Sequence, residues 1–164
     1  NCAACHPSAK REDGRPPLFT DFTYDALGLP RNTVIPATAD RNYFDLGLCR
    51  SGRSGRASQD TACGKFKVPT LRNVATRQVF FHNGQIKNLR DAVAFYVSRD
   101  TQPAHRYPVK ANKSIAKFND LPAKYQANVN IDEVPYGGKR GGKPALNEQE
   151  IDDVVAFLRT LTDQ

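Results

Sequence analysis

The 164-residue chain contains no methionine and no tryptophan, and it has only three histidines and four cysteines. Without methionine, no thioether sulfur of this chain can serve as a metal ligand. Long apolar runs are also absent, and none approaches the roughly 18 residues that a membrane-spanning helix needs, so the sequence predicts no transmembrane segment. Because the initiator methionine is missing, we expect a processed chain or a piece of a longer polypeptide, and we favour the piece.

The net charge of +7 is spread along the chain rather than gathered in one segment. A nucleic-acid-binding helix would concentrate such charges on one face, with aromatic side chains between them. The scatter therefore argues against nucleic acid as a partner. It favours an ordinary solvated surface, or a basic face that attracts an acidic redox protein. The basic residues of this spread are Arg50, Arg53, Arg56, Lys65, Lys67, Lys139, Arg140 and Lys143.

The first six residues contain the spacing Cys-x-x-Cys-His, formed by Cys2, Cys5 and His6. This spacing is typical of c-type haem attachment, in which two thiols bond to the porphyrin and the imidazole binds one axial position of the iron. Half a zinc site or a redox dithiol has the same pair of cysteines. The remaining two cysteines do not form a second close pair, so the motif favours covalently bound haem c over zinc.

Cys49 and Cys63 flank a polar segment rich in glycine and serine. Covalent haem is attached outside the reducing cytoplasm, where disulfides persist, so we predict a disulfide between these two residues. A bridge that closes such a loop contributes about 3 kcal/mol to stability. The alternative is a pair of unrelated buried thiols.

Two long segments have the composition of irregular structure. Residues 7–45 mix proline, glycine and polar residues with scattered aromatics, and we expect them to wrap a cofactor. Residues 101–145 are equally polar and are expected to lie over the surface, with one helical turn at 122–127. A further short turn or helix is expected at 71–75.

Two helices are predicted from capping residues and apolar spacing. Asn88 can cap a first helix, and Asn147 with Glu150 matches the capping box of a second. The apolar residues that recur at helical spacing are Leu89, Ala92, Val93, Tyr96 and Val97 in the first, and Ile151, Val154, Val155, Leu158 and Leu161 in the second.

A haem iron bound by His6 needs a group on its opposite face, and the residues alone leave several candidates: His82, His105, Tyr96, a lysine or water. His105 lies in a polar, proline-bounded segment and is expected to be exposed. His82 follows two phenylalanines and could be a ligand, a hydrogen-bond donor near the haem or a buried imidazole. For Tyr96, the pattern by itself favours a core tyrosine whose hydroxyl is hydrogen-bonded.

Three stretches, CAACH, KFKVPTLRNVATRQVFFHNGQIKNLRDAVAFY and PALNEQEIDDVVAFLRTLTD, occur in this order and cover most of the chain. Together they resemble the C-terminal haem domain of the bacterial dihaem cytochrome c peroxidase and MauG family. Where the peroxidases carry an axial methionine in the pattern Ala-Val-x-x-Met, this sequence has Ala92, Val93 and Tyr96. MauG-like members have a tyrosine there, so the resemblance implies His6 and Tyr96 as the axial pair. A phenolate ligand lowers the haem potential relative to a thioether.

The resemblance also implies a calcium ion, bound between two haems by backbone carbonyls at the positions of Arg77 and Val79. These residues depart from the threonine and proline that are usual there, but hard carbonyl oxygens of any residue suit calcium. His82 falls on a histidine of the family and is implied to be a neighbour of the haem ligands rather than a ligand.

The family splits peroxide at a first haem in an N-terminal domain, whereas this sequence has one haem motif. The resemblance therefore implies that residues 1–164 form one mostly α, cytochrome c-like haem domain with long irregular loops, the C-terminal half of a longer dihaem protein. Its implied function is periplasmic electron relay in hydrogen peroxide reduction or in peroxide-driven oxidation of a protein. The implied partners are a preceding domain or separate chain with a second haem, and a small redox donor or substrate protein. The alternative is a stand-alone electron-transfer cytochrome c subunit without peroxidase activity.

Overall fold

The computed structural model describes residues 1–50 and 60–163, except for the side chain of Arg50. Its α-helices are α1 (Leu89–Ser98) and α2 (Glu148–Arg159), and its antiparallel two-stranded sheet pairs β1 (Tyr24–Asp25) with β2 (Phe66–Lys67). Short 3-10 helices occupy Cys2–Ala4, Pro36–Ala39, Leu48–Arg50, Asp60–Ala62, Val74–Thr76, Pro103–His105 and Ala123–Asn128. The predicted irregular loops are present. The helical share is smaller than a mostly α domain would have, because no other α-helix occurs in the described ranges.

The α1 helix begins where its cap predicts. The Asn88 side chain accepts hydrogen bonds from the backbone N–H groups of Arg90 and Asp91, at 2.8 and 3.3 Å. These bonds satisfy amide groups that have no partner within the helix. The buried residues of α1 are Ala92, Ala94, Phe95, Val97 and Ser98. They contact three of the hydrophobic clusters, so α1 lies at the centre of the core.

The predicted capping box of α2 is also formed. Asn147 accepts from the Glu150 N–H at 3.0 Å, and the Glu150 carboxylate accepts from the Asn147 N–H at 2.7 Å. The apolar face of α2 packs against α1 and the turn near Val74. No helix among the described residues is long and apolar enough to cross a membrane.

The expectation that residues 101–145 lie over the surface is wrong in part. Four apolar side chains of this segment have exposures of 8% or less: Tyr107, Leu121, Tyr125 and Val129. The two α-helices contain only 10 and 12 residues, so the irregular segments must supply much of the core. Such segments have no hydrophobic periodicity, and pattern analysis therefore could not detect their burial.

The disulfide predicted between Cys49 and Cys63 is present, with Cα atoms 4.8 Å apart. Cys63 packs in a cluster with Leu121, Tyr125 and Val129, so the bridge joins its loop to the buried part of the 101–145 segment. Most of the polar segment that the bridge closes lies outside the described residues. The same applies to two of the basic residues, Arg53 and Arg56.

A buried ion pair lies just beyond the end of α1. Arg99 is completely buried, and its guanidinium donates to the Asp100 carboxylate at 2.7 Å. It also donates to the backbone carbonyls of Leu27 and Asn130, at 2.9 and 2.7 Å. Lys117 completes the network with a contact of 2.6 Å to Asp100. Because every charge has a partner, this network can join two loops to α1 in the interior.

Candidate haem site

The Cys-x-x-Cys-His motif forms one tight turn. Cys2 begins the 3-10 helix Cys2–Ala4, Cys5 caps its end, and the backbone N–H of His6 donates to the Cys2 carbonyl at 2.9 Å. Both motif thiols are free, and Cys2 is exposed whereas Cys5 is half-buried. The turn therefore brings the two thiols and the imidazole together at the surface of the fold.

The His6 imidazole has one fixed orientation. Its Nδ1 atom lies 2.7 Å from the carbonyl oxygen of Phe19. A carbonyl oxygen only accepts, so Nδ1 carries the proton, and Nε2 of the neutral ring keeps a free lone pair. Thr20 fixes the segment that presents this carbonyl, because its hydroxyl donates to the Val68 carbonyl at 2.7 Å. This is the arrangement of a histidine that binds a metal through Nε2.

Acidic side chains surround the Cys5 thiol. Burial raises the pKa of Cys5, and the charges of Asp21 and Glu133 raise it further. A zinc site requires the deprotonated thiolate. Moreover, the described residues contain no cluster of three or more His, Cys, Asp or Glu side chains that could hold a metal ion. The geometry of this turn therefore gives no support to the zinc alternative.

Tyr96 lies on α1, half-buried, among aromatic rings. Its ring centroid is 5.5 Å from that of Phe81 and 6.4 Å from that of Phe95, in tilted and edge-on arrangements. Tyr136 stacks on it at 6.0 Å, with the ring planes 28° apart. These contacts hold the ring of Tyr96 from several sides.

The hydroxyls of Tyr107 and Tyr125 are hydrogen-bonded, whereas no described residue bonds to the hydroxyl of Tyr96 or of Tyr136. Tyr107 donates to the Gly28 carbonyl at 2.6 Å, and Tyr125 donates to the Asp60 carboxylate at 3.3 Å. Within the part of the chain that the structure describes, no hydrogen bond of the Tyr96 hydroxyl is found. The ring of Tyr96 packs against the core as the helical spacing predicts, but its hydroxyl has no hydrogen bond among the described residues. A phenol oxygen without a protein partner is free to bind a ligand.

Electrostatic effects connect Tyr96 to the cysteine motif. Burial is the largest cause that raises the pKa of the Tyr96 phenol, and the charges of Asp25, Cys2 and Cys5 act in the same direction, against Arg99. The phenol keeps its proton at neutral pH unless a cation replaces it.

These residues fit a haem. Two free thiols can form the covalent bonds, the free Nε2 of His6 can bind one face of the iron, and the unpartnered Tyr96 oxygen is available for the other. This donor set, in a fold that consists mainly of loops around two helices, defines a haem domain of the cytochrome c type.

Comparisons with known proteins agree with this class. The chain is 32% identical over 167 aligned residues to the methylamine utilization protein MauG of Paracoccus denitrificans (strain Pd 1222), covering 100% of this chain and 40% of MauG. The structure of the diheme peroxidase BthA from Burkholderia thailandensis E264 matches with a TM-score of 0.86 and 43% identity over 99% of this chain and 39% of that one. A tyrosine-to-methionine variant of BthA matches with a TM-score of 0.87 and 41% identity, covering 99% and 38%.

A MauG-like protein associated with microbial copper homeostasis shares the fold, with a TM-score of 0.56 and 23% identity over 99% of this chain and 42% of that one. No protein-family model matches the chain. The similarities to MauG and BthA extend across the whole chain and support a MauG-like diheme cytochrome c peroxidase family for it. The chain spans about two fifths of the length of these relatives.

The other predicted site residues make contacts of their own. His82 stacks on Phe66 with centroids 3.5 Å apart, and its Nε2 lies 3.1 Å from the Asp120 carboxylate. Its role near the haem stays a prediction. Arg77 and Val79 follow the 3-10 helix Val74–Thr76, and the calcium site at their carbonyls also stays a prediction.

His105 is exposed, as expected for a surface histidine. Sequence reasoning missed three contributors to the site: Phe19, whose carbonyl orients His6, and the pair Arg99 and Tyr136 beside Tyr96. No short sequence pattern around these three residues predicts their contacts, since each contact joins residues far apart in the sequence.

Proposed function

We propose that this chain is the electron-relay haem domain of a MauG-like diheme oxidoreductase that uses hydrogen peroxide. The observation that carries the proposal is the motif turn, which brings Cys2, Cys5 and His6 together and holds Nδ1 of His6 2.7 Å from the Phe19 carbonyl oxygen. The relatives MauG and BthA, the second of which is a diheme peroxidase by name, support the assignment.

Each residue of the site has a distinct role in this proposal. Cys2 and Cys5 would hold the haem covalently, and His6 and Tyr96 would bind its iron. The bound haem supplies one-electron redox chemistry. The hydrogen bond from Nδ1 of His6 to the Phe19 carbonyl fixes the imidazole plane and makes Nε2 a stronger donor. Tyr96 would bind the iron through its deprotonated phenol oxygen, and this anionic donor would favour the oxidised state.

The relatives MauG and BthA are longer than this chain, which spans about two fifths of their length. We propose that peroxide is reduced at a second haem, on a preceding segment or on a separate chain, and that this domain exchanges electrons with it. A small redox protein or a substrate protein completes the reaction.

The periplasm suits the assembly, because covalent haem and the disulfide of Cys49 and Cys63 both form outside the reducing cytoplasm. Calcium bound by the carbonyls of Arg77 and Val79 would lie between the two haems.

The test is expression of the polypeptide with its natural flanking sequence in a periplasm that carries out c-type haem maturation. Intact mass should show one haem bound to this domain and a second elsewhere in the assembly, and the assembly should reduce hydrogen peroxide. The Cys2→Ala, Cys5→Ala double variant should lose one covalent haem and the electron relay. If a single haem is found and no peroxide is consumed, the stand-alone cytochrome replaces this proposal.

A further inference from the structure

Tyr136 contacts Tyr96 in a way that no other ring does. Among the aromatic contacts of the described residues, those of Tyr96 with Phe81 and Phe95 have interplanar angles of 45° and 77°. Only Tyr136 stacks on Tyr96, with the planes 28° apart and the centroids separated by 6.0 Å. Since Phe81 and Phe95 pack edge-on or tilted, they restrain the position of Tyr96 more than the plane of its ring.

The Tyr136 ring also contacts a buried cation. The guanidinium carbon of Arg99 lies 4.1 Å from the centroid of the Tyr136 ring. Arg99 cannot move freely, because it is completely buried and bonded to Asp100 and to two backbone carbonyls. A guanidinium over an aromatic face is an attractive contact, and it gains strength when both groups are shielded from water.

The backbone of Tyr136 is held as well. Its N–H donates to the Glu133 carbonyl at 2.8 Å, and the N–H of Gly137 donates to the Asp100 carboxylate at 2.9 Å. Gly137 adopts a left-handed φ of 74°, and a Cβ atom there would collide with the carbonyl of Ile131. The turn that contains Tyr136 is therefore hydrogen-bonded to Asp100, which also bonds to Arg99. The ring and the backbone of Tyr136 are thus held by the same buried ion pair.

We propose that Tyr136, held by Arg99, is a positioning residue that fixes the ring plane of Tyr96 and thereby strengthens its binding to the haem iron. The inference rests on the proposed function, in which Tyr96 is the axial ligand. The rotation of a tyrosine ring about its Cβ–Cγ bond is soft, so an unsupported ring samples many planes. The stacked ring of Tyr136 holds the Tyr96 ring in one plane before it binds the iron, which lowers the entropic cost of that binding.

The hydroxyl of Tyr136 is not needed for this role. Within the described ranges it makes no hydrogen bond, so the ring is the part that acts on Tyr96. The Tyr136→Phe substitution keeps the stack and the contact with Arg99, whereas Tyr136→Leu removes both. These two variants therefore separate the positioning role from any effect of the hydroxyl.

The experiment measures cyanide binding to the ferric haem of this domain, followed by the loss of its phenolate bands, since cyanide has to displace Tyr96 only there. For Tyr136→Leu we expect the Kd for cyanide to fall about three- to tenfold, the amount that an aromatic pair contributes. The phenolate bands in resonance Raman spectra should also broaden. For Tyr136→Phe, both readouts should match the parent protein. Tyr125→Leu, a change in a different cluster, controls for general loss of stability and should leave the cyanide Kd unchanged.

If Tyr136→Leu does not fold, Tyr136→Gln carries the same expectations, because glutamine also lacks a ring and tolerates the half-exposed position. A cyanide Kd that is unchanged in the ring-deleted variant refutes the positioning role. Equal changes in Tyr136→Phe and in the ring-deleted variant refute it as well. Tyr96→Phe is measured in parallel: if that variant leaves the parent spectrum unaltered, the axial assignment fails and the inference fails with it. A spectrum that responds to Tyr96→Phe but not to loss of the Tyr136 ring overturns only the inference.

Discussion

The Nδ1 atom of His6 donates a hydrogen bond to the backbone carbonyl of Phe19 over 2.7 Å. This contact joins the cysteine motif to the irregular segment that follows it and determines which imidazole nitrogen is available to a metal. The same segment contacts the motif a second time, since the Asp21 N–H donates to the Cys5 carbonyl at 3.0 Å. The loop that follows the motif therefore helps to determine the orientation of the His6 imidazole.

The Thr20 hydroxyl should matter to the haem although it touches none of the ligands. It donates to the Val68 carbonyl and accepts from the Phe22 N–H at 3.0 Å, and both bonds fix the turn that presents the Phe19 carbonyl. We expect Thr20→Ala to lower the free energy of unfolding by about 1 kcal/mol and to broaden the haem spectrum. Denaturant titration and electron paramagnetic resonance of the holoprotein measure the two effects.

Thr38→Ala is the matched control for that experiment, since its half-buried hydroxyl donates to the backbone carbonyls of Asn32 and Ile35. The control should leave the haem spectrum unchanged. A Thr20→Ala spectrum identical to that of the control would contradict the role given to the turn.

Removing the disulfide should destabilise the domain without altering the haem ligands. The bridge between Cys49 and Cys63 closes a loop in the native and unfolded chains alike, and its loss should cost about 3 kcal/mol through the extra freedom of the unfolded chain. The Cys49→Ala, Cys63→Ala double variant should therefore unfold at a lower denaturant concentration and keep the parent visible spectrum. Equal unfolding midpoints for the variant and the parent would argue against a stabilising bridge.

Asp100 should make stability depend on pH in the acid range. Burial alone raises the pKa of Asp100, but the hydrogen bonds from Arg99 and Lys117 outweigh it and hold that pKa below its ordinary value. The carboxylate therefore stabilises the fold fully above the unfolded-state pKa of about 4, and this contribution is lost as the pH falls through the lower folded-state pKa.

Asp100→Asn should accordingly lower the free energy of unfolding at pH 7 by about 3 kcal/mol, because it leaves the buried Arg99 without its anion. The variant should also lose less stability than the parent between about pH 4 and pH 2. Asp153→Asn, on the exposed side of α2, is the control and should behave as the parent does. Parallel acid-unfolding curves for Asp100→Asn and the parent would show that this carboxylate does not contribute as described.

Local signals in the sequence were sufficient for some features of this protein and not for others. Both α-helices and their caps follow from short patterns at Asn88 and Asn147, because helix initiation depends on neighbouring residues. The motif turn is equally local. The burial of Tyr107 and Tyr125 was not predictable, since irregular segments have no period and their core contacts depend on the whole fold.

For the candidate ligand Tyr96, one feature could be predicted from local sequence patterns and others could not. Its position on the apolar face of α1 followed from helical spacing, but the spacing favoured a hydrogen-bonded core tyrosine, and only the resemblance to a family indicated a ligand. The free hydroxyl and the stack with Tyr136 depend on a loop forty positions further along the chain, which no local pattern describes.

The most direct test of the account is the resonance Raman and visible spectrum of the ferric holoprotein compared with that of Tyr96→Phe, with Tyr125→Phe and His105→Ala as controls. We expect phenolate bands in the parent and in both controls, and their loss in Tyr96→Phe together with a rise in haem potential on the order of 100 mV. Phenolate bands that persist in Tyr96→Phe, or that are lost in His105→Ala, would contradict His6 and Tyr96 as the axial pair.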